Sequence, residues 1–217
     1  MRIIINDFIQ ESDADDELKS PDLSDRLDSA SFTITLDSSQ TFDSIGVGNT
    51  DATSITINGD VITLDSVQRD RNGLYLLSAS QTTDTLVITH NGTYIGRFAC
   101  GLHRLIGTSP QIEMGRRSTY QPRRTASGNV IEGAGGISYR VFSFDIRYKI
   151  TSEIYSDYEA AYDTQIAKGF PFFLMFDKQE HRFPYERAYA QGPIDSIFET
   201  SINSFRYSIR LLFEEAF

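Results

Sequence analysis

Tyr139-Arg-Val-Phe-Ser-Phe-Asp-Ile-Arg-Tyr-Lys-Ile150 alternates over twelve residues. Phe142, Phe144, Ile146, Tyr148 and Ile150 fall on one side of an extended chain. Tyr139, Val141, Ser143, Asp145, Arg147 and Lys149 fall on the other. A period of two with one wholly apolar side predicts a long strand lying on a core.

Downstream, Thr151-Ser152-Glu153 offers an N-cap and an early acid, both favourable at a helix start. Ile154, Tyr158, Ala161 and Gln165, with Tyr162 and Ile166 beside them, keep helical spacing until Gly169 ends the helix and Pro171 prevents its return. Phe170–Phe176 is a continuous apolar run, as expected of a strand covered on both faces. Pro193–Thr200 and Asn203–Phe213 read as two more strands, joined by a turn near Ser201–Ser204. The last carries Phe205, Tyr207, Ile209, Leu211 and Phe213 on one face. Residues 137–217 are therefore expected to form a β-α-β-β-β unit.

Upstream, residues 101–136 change character. Gly107, Gly115, Gly128 and the run Gly133–Gly136 punctuate a stretch with little apolar periodicity and two arginine pairs, Arg116-Arg117 and Arg123-Arg124. A long exposed loop or an extended hairpin fits this pattern, and loops of this length are often functional. Residues 1–100 read differently again. Ile3–Ile5 predicts an opening strand, and the acid-rich Glu11–Asp28 a solvated loop with room for a short helix over Leu18–Leu27. Phe32, Ile34 and Leu36 alternate with polar residues. Phe42–Gly48, Ser54–Ile57, Val61–Leu64, Leu74–Ser78, Thr85–Thr89 and Thr93–Phe98 follow as strands. Asn58-Gly59 and Asn91-Gly92 are the two best hairpin turns, since both residue types tolerate positive φ. Asn91-Gly92-Thr93 also fits a glycosylation sequon, which its role as a turn accounts for. Strands at this spacing point to an antiparallel β-sandwich.

Charge divides the chain in the same places. Residues 1–100 hold six Lys/Arg against sixteen Asp/Glu, 101–136 five against two, and 137–217 nine against twelve, within a net charge of −10. That balance argues against sequence-independent binding to nucleic acid or to anionic membranes. The three units expected are an acidic β-sandwich (1–100), a basic connecting segment (101–136) and the β-α-β-β-β unit (137–217). A chain of 217 residues with 40% apolar and 12% aromatic residues has ample material for a core. Its apolar start is too short for a signal peptide, and no stretch approaches ~20 apolar residues, so synthesis in the cytosol without membrane insertion is expected.

Motifs for chemistry are sparse. Cys100 is the one cysteine, so no internal disulfide forms; between Phe98-Ala99 and Gly101 it reads as a buried thiol. His90, His103 and His181 lack the short spacing of metal ligands. Asp13-Ala14-Asp15-Asp16-Glu17 lacks the glycine and terminal glutamate of a calcium loop. Gly133–Gly136 lacks the context of a phosphate loop, and no Gly-x-Ser-x-Gly elbow occurs. The expectation is a building or binding protein with no catalytic residue, no cofactor and no metal. A polysaccharide hydrolase is the third reading, and no motif supports it.

Two stretches carry resemblances. Phe32-Thr-Ile-Thr-Leu-Asp followed by Gln40-Thr-Phe-Asp-Ser-Ile-Gly-Val-Gly-Asn-Thr50 is similar to strand pairs of discoidin-like, galactose-binding-like sandwiches, although Ser38 stands where that pattern often has Gly. Over residues 137–217, the strand at Phe142, the helix, Phe170-Pro-Phe-Phe-Leu-Met-Phe-Asp and Tyr207-Ser-Ile-Arg-Leu-Leu-Phe-Glu-Glu-Ala-Phe resemble bacteriophage tail proteins of the distal-tail or baseplate type, and tail-tube-like folds more broadly. The second resemblance implies a structural virion component. It would form a ring of copies that joins the tail tube to host-binding parts, made in the host cytoplasm and then built into the tail. On that reading Arg116, Arg117, Arg123 and Arg124 dock on the acidic front of an adjacent copy or of another tail protein; the plainer reading is that they keep a loop soluble. The first resemblance implies the alternative, a carbohydrate-binding module for host-surface glycans. With no Trp in the chain, Tyr75, Tyr94 and Tyr120 are the available sugar platforms.

Overall fold

The computed structural model of the chain describes residues 2–4, 7–65, 72–105, 112–119, 123–124, 130–131, 136–149, 171–176, 186–201 and 206–216, with backbone alone at 112, 123–124, 130–131, 144–149, 186–201 and 206–211. The chain is mainly β. Its strands are β1 (Arg2–Ile4), β2 (Ser31–Val47), β3 (Ser54–Ile57), β4 (Asp60–Thr63), β5 (Gly73–His90), β6 (Phe98–Gly101), β7 (His103–Leu105), β8 (Ile112–Ser118), β9 (Arg123–Arg124), β10 (Val130–Ile131), β11 (Ser138–Lys149), β12 (Phe172–Phe176), β13 (Glu186–Ser201) and β14 (Arg206–Glu215). Every described pairing is antiparallel.

β4-β3-β5-β2-β6 form one sheet. Four stretches expected as separate strands are in fact two long ones, because β2 and β5 pair with each other from end to end. Irregularities at Thr35/Gln40 and Phe42/Ser44 interrupt that ladder. Across them the inward parity changes: Ile34, Leu36 and Phe42 enter the core first, then Ile45 and Val47. Extra residues in a ladder turn the strand over, and the ribbon bends around its own core. Asn58 (φ 48°) and Gly59 (φ 91°) make the expected tight turn between β3 and β4. Asn91-Gly92 does not make a hairpin. The Asn91 side chain accepts from the N–H groups of Thr53 and Ser54, and the chain then crosses to Ile95, which bridges Leu27 and Thr50. The short helix, α1 (Asp16–Lys19), covers only the start of the stretch allowed for it, since Ser20-Pro21 stops it.

The second sheet runs β7-β1-β12-β13-β14-β11-β8. It corrects two of the expected boundaries. β1 lies between β7 and β12, so the first strand of the chain completes the sheet of the last third. Phe172–Phe176 is buried at every position and needs neighbours on both edges, which β1 and β13 supply. The segment 101–136 is likewise no plain loop: β7 and β8 form the two borders of this sheet, and β8 with β11 makes the extended hairpin. Six flat strand spacings would separate those borders by about 29 Å. The seven peptide units from Leu105 to Ile112 span at most about 25 Å, so the sheet must curl. In β13 the ladder with β14 shifts between Gln191 and Asp195, where Gly192-Pro193 sits; proline cannot donate to a regular ladder. The helix expected after Ile150 lies outside the described residues.

The two sheets meet at β2, β5 and β6 against β12. Ile45, Val47, Tyr75, Phe98 and Cys100 face the core of the first sheet. Their neighbours Leu74 and Ala99 turn the other way and cluster with Ile4, Leu23, Phe173, Met175 and Ala216. Gly46 is in contact with Phe173: a Cβ there would lie 2.6 Å from Phe173 Cε2 and closer to Cδ2 and Cγ. The alternating stretch Tyr139–Ile150 departs from the expectation of one covered face. Arg140, Val141 and Phe142 are all buried, so this part of β11 is covered on both faces rather than one. No helix among the described residues is long and apolar enough to cross a membrane.

Candidate assembly interface

β8 is the border strand of the curled sheet, and its only described neighbour is β11. Glu113 to Thr119 are exposed without exception, even where Gly115 and Met114 stand opposite the buried Val141 and Phe142. The ribbon is closed at its far end by Thr119 N–H to Ile137 O (3.0 Å) and Ile137 N–H to Thr119 Oγ1 (2.9 Å). Beyond it β9 and β10 pair as a second small ribbon. Successive strand residues face opposite sides, so Met114, Arg116 and Ser118 share one face and Glu113, Gly115 and Arg117 the other. Each face thus carries one arginine. Met114 and Ile137 add exposed apolar surface.

Of the four arginines singled out from sequence, Arg116 and Arg117 lie on this ribbon, exposed and in no ion pair with any described residue. Arg116 stands opposite Arg140 in the ladder. That juxtaposition would repel, but the Arg140 charge is taken up elsewhere: its Nε and Nη2 donate to Glu215 Oε1 at 3.1 and 2.8 Å, and its backbone N–H donates to Oε2 at 2.9 Å. Arg123 and Arg124 form β9, with their side chains outside the described residues.

The chain's acidic front is a built surface rather than a solvated loop. Ile9, Ala14 and Leu18 are buried while Glu11, Asp13, Asp15, Asp16 and Glu17 are exposed. Asp13 exchanges bonds with β2, its N–H donating to Thr35 O (3.2 Å) and its carboxylate accepting from Thr35 N–H (2.5 Å). Ser12 Oγ donates to Ile9 O and accepts from Ala14 N–H. Lys19 Nζ is spent on Ser12 O. Beneath lies a buried pair, Asp7–Arg97, 2.5 Å between Oδ2 and Nη2. Asp7 also accepts from the N–H groups of Ile9 and Cys100, and Arg97 Nη1 donates to the carbonyls of Leu18 and Lys19. Burial raises the Asp7 pKa above 3.8, against the opposing pull of Arg97 and those N–H groups.

The sites of conventional chemistry resolve into structural ties. Arg2 on β1 bonds His103 Nε2 (2.8 Å), while His103 Nδ1 and its backbone N–H both lie 2.9 Å from Asp43 Oδ1 on β2. An arginine only donates, so the outer imidazole nitrogen is already used and is not free to act as a base. His90 Nε2 contacts Ser29 O, and His181 lies outside the described residues. Cys100 is buried, and burial with Asp7 and Asp43 nearby pushes its thiol pKa well up, away from the reactive thiolate.

The sugar platforms fare as follows. Tyr75 is 2% exposed, its ring in the core and its hydroxyl near Asp65 N–H, which corrects its candidacy. Tyr94 carries the Arg26 guanidinium over its ring at 4.5 Å. Tyr120 lies outside the described residues. Tyr75 does line a cleft of ≈ 420 Å³ between β4 and β5, with Asp60, Val61, Thr63, Leu76 and Ser78, but at 2% exposure it offers no open ring face there, and Asp60 is engaged by Ser78.

Sequence reasoning missed the two buried ion pairs among the described residues, Asp7–Arg97 and Arg140–Glu215. Their signal was present: Arg97 interrupts Tyr94-Ile-Gly before Phe98-Ala-Cys100, and Glu215 follows Leu211-Leu-Phe213. Charges inside apolar runs need partners when the runs are buried. Comparison with known protein families, curated proteins and solved structures finds no match in any of the three.

Proposed function

We propose that this chain is a structural subunit of a bacteriophage tail tip or baseplate, of the distal-tail type, whose copies form a ring joining the tail tube to host-binding parts. The observation that carries the reading is the β8–β11 ribbon. β8 is exposed at every position from Glu113 to Thr119 and has no described neighbour on its outer side, and an uncovered sheet border invites another chain. Such a border suits a subunit of a larger assembly. The resemblance of residues 137–217 to tail-tube-like proteins supplies the class. On this reading the first sheet, similar in its strand pair to galactose-binding-like proteins, is a unit carried on that scaffold, and the burial of Tyr75 leaves the carbohydrate alternative with Tyr94 and Tyr120. The engaged imidazole of His103 likewise favours a structural role over hydrolysis.

Light scattering coupled to size exclusion, followed by negative-stain microscopy, tests the assembly. Closed rings, either from the chain alone at about 100 µM or on mixing with a tail-tube protein, are the expected result. A monomer under both conditions refutes the assembly reading.

A further inference from the structure

The border ribbon and the acidic surface carry opposite charges, and no ion pair joins them among the described residues. Arg116 and Arg117 are exposed and in no ion pair with a described residue. Glu11, Asp15, Asp16 and Glu17 are equally exposed, and the structure shows no cation paired with any of them among the described residues. The acidic surface is held rigid by Asp13 on Thr35 and by the buried side chains of Ile9 and Leu18, so ordering it on contact costs little. The ribbon offers an arginine on each face of β8 and the exposed apolar side chains of Met114 and Ile137.

Resting on the assembly reading above, we propose that β8 of one copy docks on the acidic surface of the next copy around η1 (Phe8–Glu11) and α1, with Arg116 and Arg117 meeting Asp15, Asp16 and Glu17. The two surfaces are different parts of the chain. Their contact is therefore heterologous and repeats from copy to copy, closing into a ring where the rotation allows. Arginine is favoured at such contacts because its planar fork matches a carboxylate. Carboxylates and guanidinium groups at this border remain near water, so the contact weakens as salt rises.

The test uses the full chain in sedimentation velocity at low and at high salt. The variants are Arg116→Glu with Arg117→Glu, Asp15→Lys with Asp16→Lys and Glu17→Lys, and all five changes together; circular dichroism checks each fold. Each set alone should raise the concentration needed for assembly about tenfold or more, and the combined exchange should restore it to within about threefold of the parent. Arg116→Gln with Arg117→Gln serves where the reversed charges prevent folding and should give a shift in the same direction. Rings that ignore either set overturn the docking while leaving the assembly reading intact. Two impaired single sets without rescue in the combination also overturn it, since the two surfaces then do not meet. A parent chain that never assembles overturns both readings together.

Discussion

Replacing Gly46 with alanine probes the junction on which the two sheets depend. At a strand glycine with negative φ, added unfolded-state stiffness favours alanine by about 0.4–1 kcal/mol where there is space. Here there is none: the new Cβ would lie 2.6 Å from Phe173 Cε2 and nearer to two more ring atoms, against ordinary contacts of 3.4 Å and above. Cγ is the root of the ring, so Phe173 cannot escape by a small rotation, and its surroundings, Ile4, Leu23, Leu74, Ala99, Met175 and Ala216, are close-packed. Overpacking of this kind costs about 1–3 kcal/mol, which reverses the sign expected from glycine entropy. The chain has no Trp, so urea titration is followed by circular dichroism. Gly46→Ala should lower the midpoint by that free energy divided by the slope, with the slope itself unchanged. Gly115→Ala, where nothing lies within 4 Å, should leave the monomer's stability unchanged or slightly raised. Phe173→Leu alone should cost about 1–2 kcal/mol. Combined with Gly46→Ala it should cost less than the two changes added, by about 1 kcal/mol or more. A stabilising Gly46→Ala, or strict additivity with Phe173→Leu, refutes the contact between the sheets.

Arg97→Met should destabilise by about 3–5 kcal/mol in the same titration, because it strands the buried Asp7 carboxylate and frees the carbonyls of Leu18 and Lys19; a loss under about 1 kcal/mol removes Arg97 as the anchor of the acidic surface. Asp7→Asn tests the pH dependence. The folded pKa of Asp7 lies above its unfolded value of 3.8, so its contribution is fully present below pH 3.8 and is lost as pH rises through the folded value. The stability of the parent relative to Asp7→Asn should therefore fall over that window, and a relative stability that rises with pH contradicts the assigned cause.

How much was legible in the sequence depended on how local the deciding force was. The Asn58-Gly59 turn was readable because two adjacent residues satisfy its backbone geometry. Asn91-Gly92 looked equivalent and was not, because the Asn91 amide finds Thr53 and Ser54, residues far away in the chain. The continuous burial of Phe172–Phe176 followed from its composition, but no local signal says that Arg2–Ile4 would be its neighbour. β2 and β5 were seen as four strands because the alternation of Ile34 and Leu36 with Ile45 and Val47 changes phase at an irregularity set by the opposite strand. At the candidate interface the paired arginines stood out as charge. Their placement on a border strand came only from the pairing of β8 with β11.

Charge placement is what stability alone leaves unexplained. The buried ions Arg97, Arg140 and Glu215 each have a close partner, as burial demands. On the surface the pattern is the reverse: carboxylates crowd between Glu11 and Glu17, and Arg116 and Arg117 sit side by side on β8, with no ion pair at either place among the described residues. Like charges at these spacings repel, and dispersing them would favour the isolated fold. Here the opposite charges sit on different elements, β8 and the stretch around η1 and α1, with no ion pair between them among the described residues. Attraction between such groups on two molecules acts over about a Debye length, about 8 Å in physiological salt. The same separation makes salt the simplest discriminator. Assembly through these groups must weaken as ionic strength rises, whereas assembly through Met114 and Ile137 alone would strengthen in sulfate.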